Sequence, residues 1–168
     1  MNLSQINALD EEAFVAILGG VFEHSPWVAR RAWARRPYAS ADALHAAMVA
    51  VVADATDEEK LALLRAHPEL AGRAAVRGEL TADSTKEQSG AGLAQCSPAE
   101  FAYITQLNHR YNEKFGFPFI LAVKGYDRAG IIREFARRVE GDRRSELAEC
   151  LAQIARITRF RLEALVAS

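Results

Sequence analysis

Apolar residues recur at spacings of three and four along most of this chain, which is the period of an α-helix with one buried face. In the stretch "SADALHAAMVAVV", five residues fall on one stripe: Leu44, Ala47, Met48, Val51 and Val52. No run alternates with period two for long enough to require a strand, and we find no repeat or linker. The 168 residues therefore predict an all-α fold, with a single compact domain of about eight helices over residues 1–168.

Capping boxes mark two of the expected helix starts. Thr56 is followed three residues later by Glu59, and Ser97 is followed in the same way by Glu100. In such a pair the hydroxyl accepts from the backbone of the third helical residue, and the glutamate reaches back to the cap. The last two helices are expected at residues 127–139 and 145–166.

Composition and charge exclude several classes of protein. A formal net charge of −1 argues against a protein whose main task is to bind nucleic acid. The apolar run "FILAV" is too short to span a membrane. Cys96 and Cys150 form no C-x-x-C pair, and no histidine pair has H-E-x-x-H spacing, so we expect no metal site. The N-terminus lacks the features of a secretory signal, and we expect a cytoplasmic protein.

The stretch "FGFPFILAVKG" interrupts the helical pattern. Pro118 lacks a backbone N–H and biases Phe117 away from helical geometry, and Gly116 weakens the preceding helix. We therefore predict one short extended segment near residues 117–123. It is either a connection that packs phenylalanines into the core or a strip whose unpaired backbone groups bind a ligand, and the pattern leaves both open.

His67 stands at an expected helix end in "LLRAHPEL". Pro68 disfavours helical geometry at the preceding residue, so the helix should end at His67. A helix C-terminus favours imidazolium over imidazole, which suits a proton donor near neutral pH. A histidine that only caps the last carbonyls of the helix would show the same pattern.

Three polar side chains share one expected helix face, because Ser84, Glu87 and Gln88 fall at i, i+3 and i+4. A solvated face has the same spacing. The "GAGL" that follows weakens that interpretation, since Gly90 and Gly92 each cost a helix about 1 kcal/mol relative to alanine. Glycines also allow another backbone or a ligand to approach closely, which indicates a binding element.

Arg161 interrupts the apolar seam of the last helix. Alternating steps of three and four connect the seam: Leu147, Cys150, Ile154, Ile157, Arg161 and Ala164. A guanidinium on a core-facing stripe needs an anionic partner, because burying it unpaired is costly. The partner is either internal, with Glu87 as a candidate, or the carboxylate of a ligand, which the forked donors of arginine match.

Four blocks of the sequence resemble a known family. "HPELAG", "STKEQSGAGL", "LNHRYNEKFGFPFILAVKG" and "ITRFRLEAL" are similar to the hallmarks of 2-oxo-4-hydroxy-4-carboxy-5-ureidoimidazoline (OHCU) decarboxylases, in the family's order and spacing over residues 66–165. The N-terminal third matches more loosely. The resemblance implies an all-α and usually homodimeric enzyme without a metal or organic cofactor. It would convert OHCU to (S)-allantoin and CO2, the last step of urate oxidation to allantoin.

The resemblance also implies the roles of individual residues. His67 would be the catalytic proton donor, with Glu87 and Arg161 as the other catalytic residues. Loss of CO2 would leave an enolate, which Arg161 and nearby N–H donors stabilise before His67 protonates one face of the carbon. Substrate contacts are implied for a larger set: Pro68, Ser84, Thr85, Lys86, Glu87, Gln88, Phe119, Ile120, Leu121, Ala122, Val123 and Arg161.

Two other functions remain compatible with the same residues. One is a different small-molecule lyase or hydrolase on this scaffold. The other is a non-catalytic helical interaction module, which predicts that Arg161 is paired only within the protein.

Overall fold

The computed structural model describes residues 1–167, with the side chains of residues 73 and 74 left out. Within this range the chain forms ten α-helices and one 3₁₀ turn at Leu93–Gln95, and no β-strand. The helices are α1 (Leu3–Asn7), α2 (Glu11–Leu18), α3 (Pro26–Trp33), α4 (Ala41–Ala53), α5 (Asp57–Ala66), α6 (Arg73–Val76), α7 (Ala82–Gly90), α8 (Pro98–Phe115), α9 (Arg128–Arg138) and α10 (Arg143–Leu165). The predicted all-α class is confirmed, and the helices beyond the expected eight include the short α1 and α6.

Both predicted capping boxes are present. Ser97 Oγ accepts from the Glu100 N–H at 3.1 Å, and Glu100 Oε1 accepts from the Ser97 N–H at 3.0 Å. Thr56 and Glu59 make the same reciprocal pair, with both distances at 3.1 Å. These bonds satisfy backbone donors that the first turn of a helix leaves without partners, and they fix the starts of α8 and α5.

The described chain divides into two compact units. One comprises residues 1–66 with 154–167, and the other comprises residues 67–153. α10 is one continuous helix, and the division falls within it, after Gln153. The single domain over residues 1–168 stays a prediction.

The first unit contains α1 to α5 and the C-terminal part of α10. α2 packs against α3, and α3 packs against α4. Five apolar side chains at its centre are fully buried: Ile6, Phe14, Leu18, Leu44 and Met48. A polar bond joins α4 to α10, since His45 Nε2 lies 2.9 Å from the backbone oxygen of Ala155.

The second unit is built around α8 and a cluster of aromatic side chains. The ring of Tyr111 lies with its centroid 4.6 Å from that of Phe115 and 5.6 Å from that of Phe119. Phe119 in turn stacks on Phe135 of α9, with ring centroids 3.9 Å apart. These buried rings place the chain after α8 directly in the core of this unit.

α8 ends at Phe115, and Gly116 follows in the left-handed region with φ of +81°. A glycine adopts this conformation without the steric cost that a side chain would bring. The chain then continues through residues 117–123 as neither helix nor strand. The predicted non-helical segment is therefore present at the expected place.

Among the residues described, no helix has both the length and the apolar character needed to cross a membrane.

Candidate functional site

His67 is a buried side chain at the start of a loop. α5 ends at Ala66, so the predicted helix end is correct to within one residue. The loop of residues 67–72, called the His67 loop below, leads from there to α6. Only 6% of His67 is exposed, so its imidazole lies in a largely water-excluded environment. The role of His67 as a proton donor stays a prediction beside that of a histidine that caps the last carbonyls of the helix.

Amide side chains from two helices hold the His67 loop. Gln88 of α7 accepts from the Ala71 N–H through Oε1 at 2.9 Å and donates from Nε2 to the Glu69 carbonyl at 3.3 Å. Asn108 of α8 donates from Nδ2 to the Leu70 carbonyl at 3.0 Å. Three successive residues of the loop are thus bonded through their backbones to neutral side chains.

Asn112, one helical turn after Asn108, adds a bond to a side chain of the loop. Its Nδ2 donates to Glu69 Oε1 at 2.7 Å and also to the backbone oxygen of Asn108 at 2.9 Å. The carboxylate of Glu69 is therefore directed at α8. Together with the backbone bonds, this contact fixes the chain that follows His67.

Ala71 shows that the loop is constrained. Its φ is +50°, a left-handed conformation that residues other than glycine seldom adopt and that costs on the order of 1 kcal/mol. The hydrogen bond from its N–H to Gln88 and the bond from Asn108 to the preceding carbonyl stabilise this geometry. The polar residues of α7 and α8 thus hold the His67 loop in a conformation that it would not adopt alone.

The polar face of α7 does not face solvent. Ser84 and Gln88 are buried, and Glu87 is half-buried, whereas Thr85 and Lys86 are exposed. The solvated-face interpretation of this stripe is therefore wrong. Both amide ends of Gln88 are bonded to the His67 loop, so this side chain orders the loop.

Gly92, which follows α7, serves a turn. Gly92 has a φ of +80° and precedes the 3₁₀ turn, and its carbonyl accepts from Arg128 Nη1 at 3.2 Å. Gly90 closes α7, and a Cβ placed there would meet no atom within 4 Å. Of these two glycines, Gly92 is required for its left-handed backbone conformation, whereas a side chain at Gly90 would meet no described atom.

A cavity of about 470 Å³ opens beside α7 within the second unit. Two of the predicted site residues, Thr85 and Gln88, line it together with Ala71 of the His67 loop. The rest of the wall is largely apolar, with Leu80, Leu93 and Phe101 among its side chains. Neither His67 nor residues 119–123 contribute to this wall.

The extended segment is buried along its whole length. Phe117 and Phe119 lie in the aromatic cluster, and residues 120–123 are each almost fully buried. The interpretation of this segment as a connection that packs phenylalanines into the core is confirmed. The alternative role, in which the backbone of this segment binds a ligand, stays a prediction.

Four backbone groups of the extended segment have partners within the second unit: the carbonyls of Pro118, Ile120 and Val123 and the N–H of Ala122. Arg138 Nη1 donates to the Ile120 carbonyl at 2.7 Å, and the Ala122 N–H donates to Gln153 Oε1 at 2.9 Å. The prediction that extended chain leaves its backbone groups unpaired is therefore wrong for these four groups. Because residues 120 and 122 of an extended chain direct their backbone groups to the same side, the protein occupies one edge of the segment.

Arg138 is buried to 2% exposure and is charge-paired. Its Nε lies 2.9 Å from Glu146 Oε1, which also accepts from the Tyr111 hydroxyl at 2.6 Å, and its Nη2 lies 3.4 Å from Cys150 Sγ. Burial raises the pKa of the Tyr111 phenol and that of the Cys150 thiol, so both stay protonated at neutral pH.

Arg138 was not among the residues singled out from the sequence, although a signal existed. Ile131, Phe135 and Arg138 fall at i, i+4 and i+7, so an apolar stripe reaches an arginine here as it does at Arg161. Gln153 gave no such signal. Its role depends on its bond to Ala122, which lies 31 residues away along the sequence.

Arg161 lies in the first unit, where it is 6% exposed and paired with Glu23. Its Nη1 lies 2.7 Å from Glu23 Oε2 and 3.3 Å from the Val21 carbonyl. The expected need for an anionic partner is confirmed, and the sequence interpretation missed Glu23 as that partner. The buried seam is confirmed at Cys150, Ile154 and Ile157, whereas its two ends, Leu147 and Ala164, are more exposed.

The second unit thus contains His67 and Pro68, the stripe of α7 and the extended segment. α8 contacts two of these elements directly, through Asn108 with the His67 loop and through Tyr111 with Phe119. Arg161 belongs to the first unit, and its place in the site stays a prediction. Over residues 1–167, no cluster of three or more His, Cys, Asp and Glu side chains is arranged to hold a metal ion.

Comparison with known proteins identifies the family. The sequence model of the family described as OHCU decarboxylase matches residues 7–163. An OHCU decarboxylase of Halalkalicoccus jeotgali is 40% identical over 98% of this chain and 92% of its own length, and one of Mus musculus is 37% identical over 99% and 93%. A crystal structure of (S)-allantoin synthase, 26% identical, matches all of this chain and 54% of the other with a TM-score of 0.79. The chain belongs to the OHCU decarboxylase family.

Proposed function

We propose that this chain decarboxylates OHCU to (S)-allantoin and CO2, the last step in the oxidation of urate to allantoin. The observation that carries the proposal is the family match over residues 7–163, which includes the buried His67 and the elements around it. The names of the relatives support the reaction, and the name of the solved (S)-allantoin synthase supports the enantiomer formed.

The chemistry requires two things of the protein. When the bond to the carboxylate breaks, CO2 leaves and its electron pair stays on the substrate, where the ring delocalises it as an enolate. A proton must then reach a ring carbon from one face only, because a single enantiomer results. The site must therefore stabilise negative charge and place one acid.

His67 is the acid in this mechanism. Its burial limits access of water to the reacting carbon, which otherwise would accept protons on either face. The bonds from Gln88 and Asn108 to the His67 loop keep the chain beside the imidazole in one conformation. Positioned proton transfer of this kind contributes about 10²- to 10⁴-fold to a rate.

The remaining predicted residues bind and orient the substrate. Glu87 and Ser84 of α7 would accept from substrate N–H groups, Pro68 would contact the ring, and backbone groups of residues 119–123 would pair with the ureido and ring amides. Arg161 would stabilise the charge that develops as CO2 leaves, the term that is usually largest in such catalysis. This set of roles rests on the family resemblance.

We also propose that the enzyme works as a homodimer in the cytoplasm, without a metal or organic cofactor. The homodimer and the absence of a cofactor rest on the same resemblance, and the location is the expectation drawn from the sequence. They are tested by the mass of the particle in solution, by the location of the tagged protein in cells, and by activity that persists after dialysis against a chelator.

The experiment that tests the function follows the product by circular dichroism. OHCU generated in situ from urate decays slowly to racemic allantoin, which has no dichroic signal. With the protein added, we expect a fast signal of one sign from (S)-allantoin together with release of one CO2. A trace that matches the uncatalysed decay would exclude the proposed reaction, and a different product would indicate another lyase or hydrolase.

A further inference from the structure

Asn108 is joined to the His67 loop by one end of its amide only. Its Nδ2 donates to the Leu70 carbonyl at 3.0 Å, which fixes how the amide is turned, since the opposite orientation would place two oxygens against each other. Its Oδ1 is therefore the acceptor on the other side of the group. The whole residue is 4% exposed.

Oδ1 of Asn108 is buried, and it hydrogen-bonds to none of the residues that the structure describes. A buried acceptor without a partner costs free energy, and nearly all buried polar atoms in folded proteins are satisfied. A leucine of nearly the same shape would avoid this cost but would lose the Nδ2 bond to Leu70. The bond to Leu70 accounts for the donor end of the amide only, and the unsatisfied Oδ1 indicates an acceptor that is used when a ligand is present.

The position of Asn108 on α8 places it beside the proposed site. Tyr111, three residues later on the same helix face, packs edge-on against Phe119 of the extended segment. Asn108 itself bonds to the His67 loop. Its side chain thus lies on the part of α8 that faces these two elements, both of which carry predicted substrate contacts.

We propose that Asn108 is a ligand-binding residue, whose Oδ1 accepts a hydrogen bond from an N–H of the ureido or ring amide groups of the substrate. This inference rests on the proposed function and deepens it. A neutral amide oxygen suits this task, because an aspartate at the same place would repel the substrate's carboxylate. A ureido-substituted ring carries several N–H donors, so such an acceptor is matched to this class of ligand.

The chain offers a matched control for this proposal. Asn112 has the same side chain, lies one helical turn further along α8 and also bonds to the His67 loop, through Glu69. It has no buried acceptor without a partner, within the part of the chain that is described. Asn112→Leu therefore removes a tether of the loop and leaves the proposed ligand acceptor in place.

The test measures the affinity of (S)-allantoin by calorimetry and the turnover of OHCU. In Asn108→Leu we expect the dissociation constant of allantoin to rise about 3- to 10-fold, the effect of losing one hydrogen bond, and kcat/KM to fall at least as far. Asn112→Leu should change the dissociation constant less than twofold, on the order of experimental scatter. Equal affinities in the wild type and in folded Asn108→Leu would overturn the proposal.

Asn108→Asp provides a second measurement, the difference between the change in KM for OHCU and the change in the dissociation constant for allantoin, which a purely structural role would not produce. The variant keeps the shape of the side chain, adds a negative charge and loses the Nδ2 bond to Leu70, a loss that should affect both ligands alike. We expect the KM for the anionic OHCU to rise more than the dissociation constant for neutral allantoin. Equal changes for the two ligands would contradict contact between Oδ1 and the substrate. Wild-type protein without OHCU decarboxylase activity would instead contradict the proposed function, so the two failures are distinguishable.

Discussion

The guanidinium of Arg138 and the backbone carbonyl of Ile120 are joined by a hydrogen bond of 2.7 Å. This contact couples a buried ion pair in the core to the extended segment. The same guanidinium lies 4.4 Å above the ring of Phe119, so it holds the segment by its backbone and by a neighbouring side chain. Residues 117–123 are therefore held in part by α9, and a substitution of Arg138 should act on this segment as well as on Glu146.

Arg138→Met should lower the free energy of unfolding by about 3–5 kcal/mol, because it leaves the carboxylate of Glu146 buried without its charge partner. Adding Glu146→Gln removes that charge and keeps an acceptor for Tyr111, so the double variant should recover a substantial part of the loss. Denaturant titrations of the single and double variants measure this difference. An equal loss in both would show that the ion pair does not determine the stability of this region.

Gln153→Met should disturb the second side-chain contact that holds the backbone of the extended segment. It deletes the acceptor of the Ala122 N–H, and a buried donor without a partner costs about 1–3 kcal/mol. The KM should rise, since residues 119–123 are predicted to contact substrate. Glu149→Gln is the control, because it still accepts from Gln153 Nε2 and should change stability by no more than about 0.5 kcal/mol. An unchanged KM in stable, folded Gln153→Met would exclude this segment from binding.

Arg161→Lys tests whether Arg161 does more than pair with Glu23. Lysine keeps the charge and one bond to the carboxylate but loses the fork, so the protein should fold while kcat/KM falls by about 10²-fold or more. Glu23→Gln is the comparison, since it weakens the ion pair and leaves the guanidinium intact. If Arg161 serves only the pair, both variants will lose stability and neither will lose activity per folded molecule.

His67→Asn should lower the rate by about 10²- to 10⁴-fold, or roughly 3 to 5 kcal/mol of transition-state stabilisation, because asparagine is not an acid. Folding should persist, with a loss on the order of 1 kcal/mol. Residual product should drift toward racemic allantoin, as seen by circular dichroism. His109→Asn, at an exposed position on α8, should leave the rate unchanged. A fast His67→Asn enzyme that yields one enantiomer would remove His67 from the mechanism.

His45 predicts a dependence of stability on pH in the first unit. Burial lowers the pKa of His45 from its ordinary value of 6.5, and its bond to the Ala155 carbonyl opposes this. Between the lowered pKa and 6.5, the unfolded chain binds the proton more readily than the folded protein does. The free energy of unfolding should therefore fall as pH drops below 6.5 and be fully retained above it.

His45→Gln isolates this contribution, because glutamine presents a donor to Ala155 and does not titrate. Denaturant unfolding between pH 7.5 and 5.5, an interval of about one unit on either side of the ordinary histidine pKa, should show a smaller loss in the variant than in the wild type. Parallel losses in the two proteins would assign the acid sensitivity to other groups.

The sequence predicted most of the helical fold because its signals are local. The capping residues Ser97 and Thr56 act within one helical turn, and Pro68 acts on its immediate neighbour, so each could be read without tertiary information. Burial of Ser84 and Gln88 could not be read this way. Spacing shows which side chains share a face of a helix. Whether that face is exposed to water depends on which other part of the chain packs against it.

The partners of the buried arginines depended on long-range contacts. Glu23 lies 138 residues from Arg161 along the chain, and no local pattern points to it. The bond from Arg138 to Ile120 likewise depends on the path that residues 117–123 take through the core. In both cases the sequence indicates that the buried arginine needs a partner, and only the fold shows which residue that partner is.

The tethers between the helices and the backbone of the His67 loop consist of amide groups, from Gln88 and Asn108. Amides neither gain nor lose protons across the range in which histidine titrates. Acid or base therefore leaves these particular bonds intact. A dependence of turnover on pH consequently does not arise from loosening of these bonds.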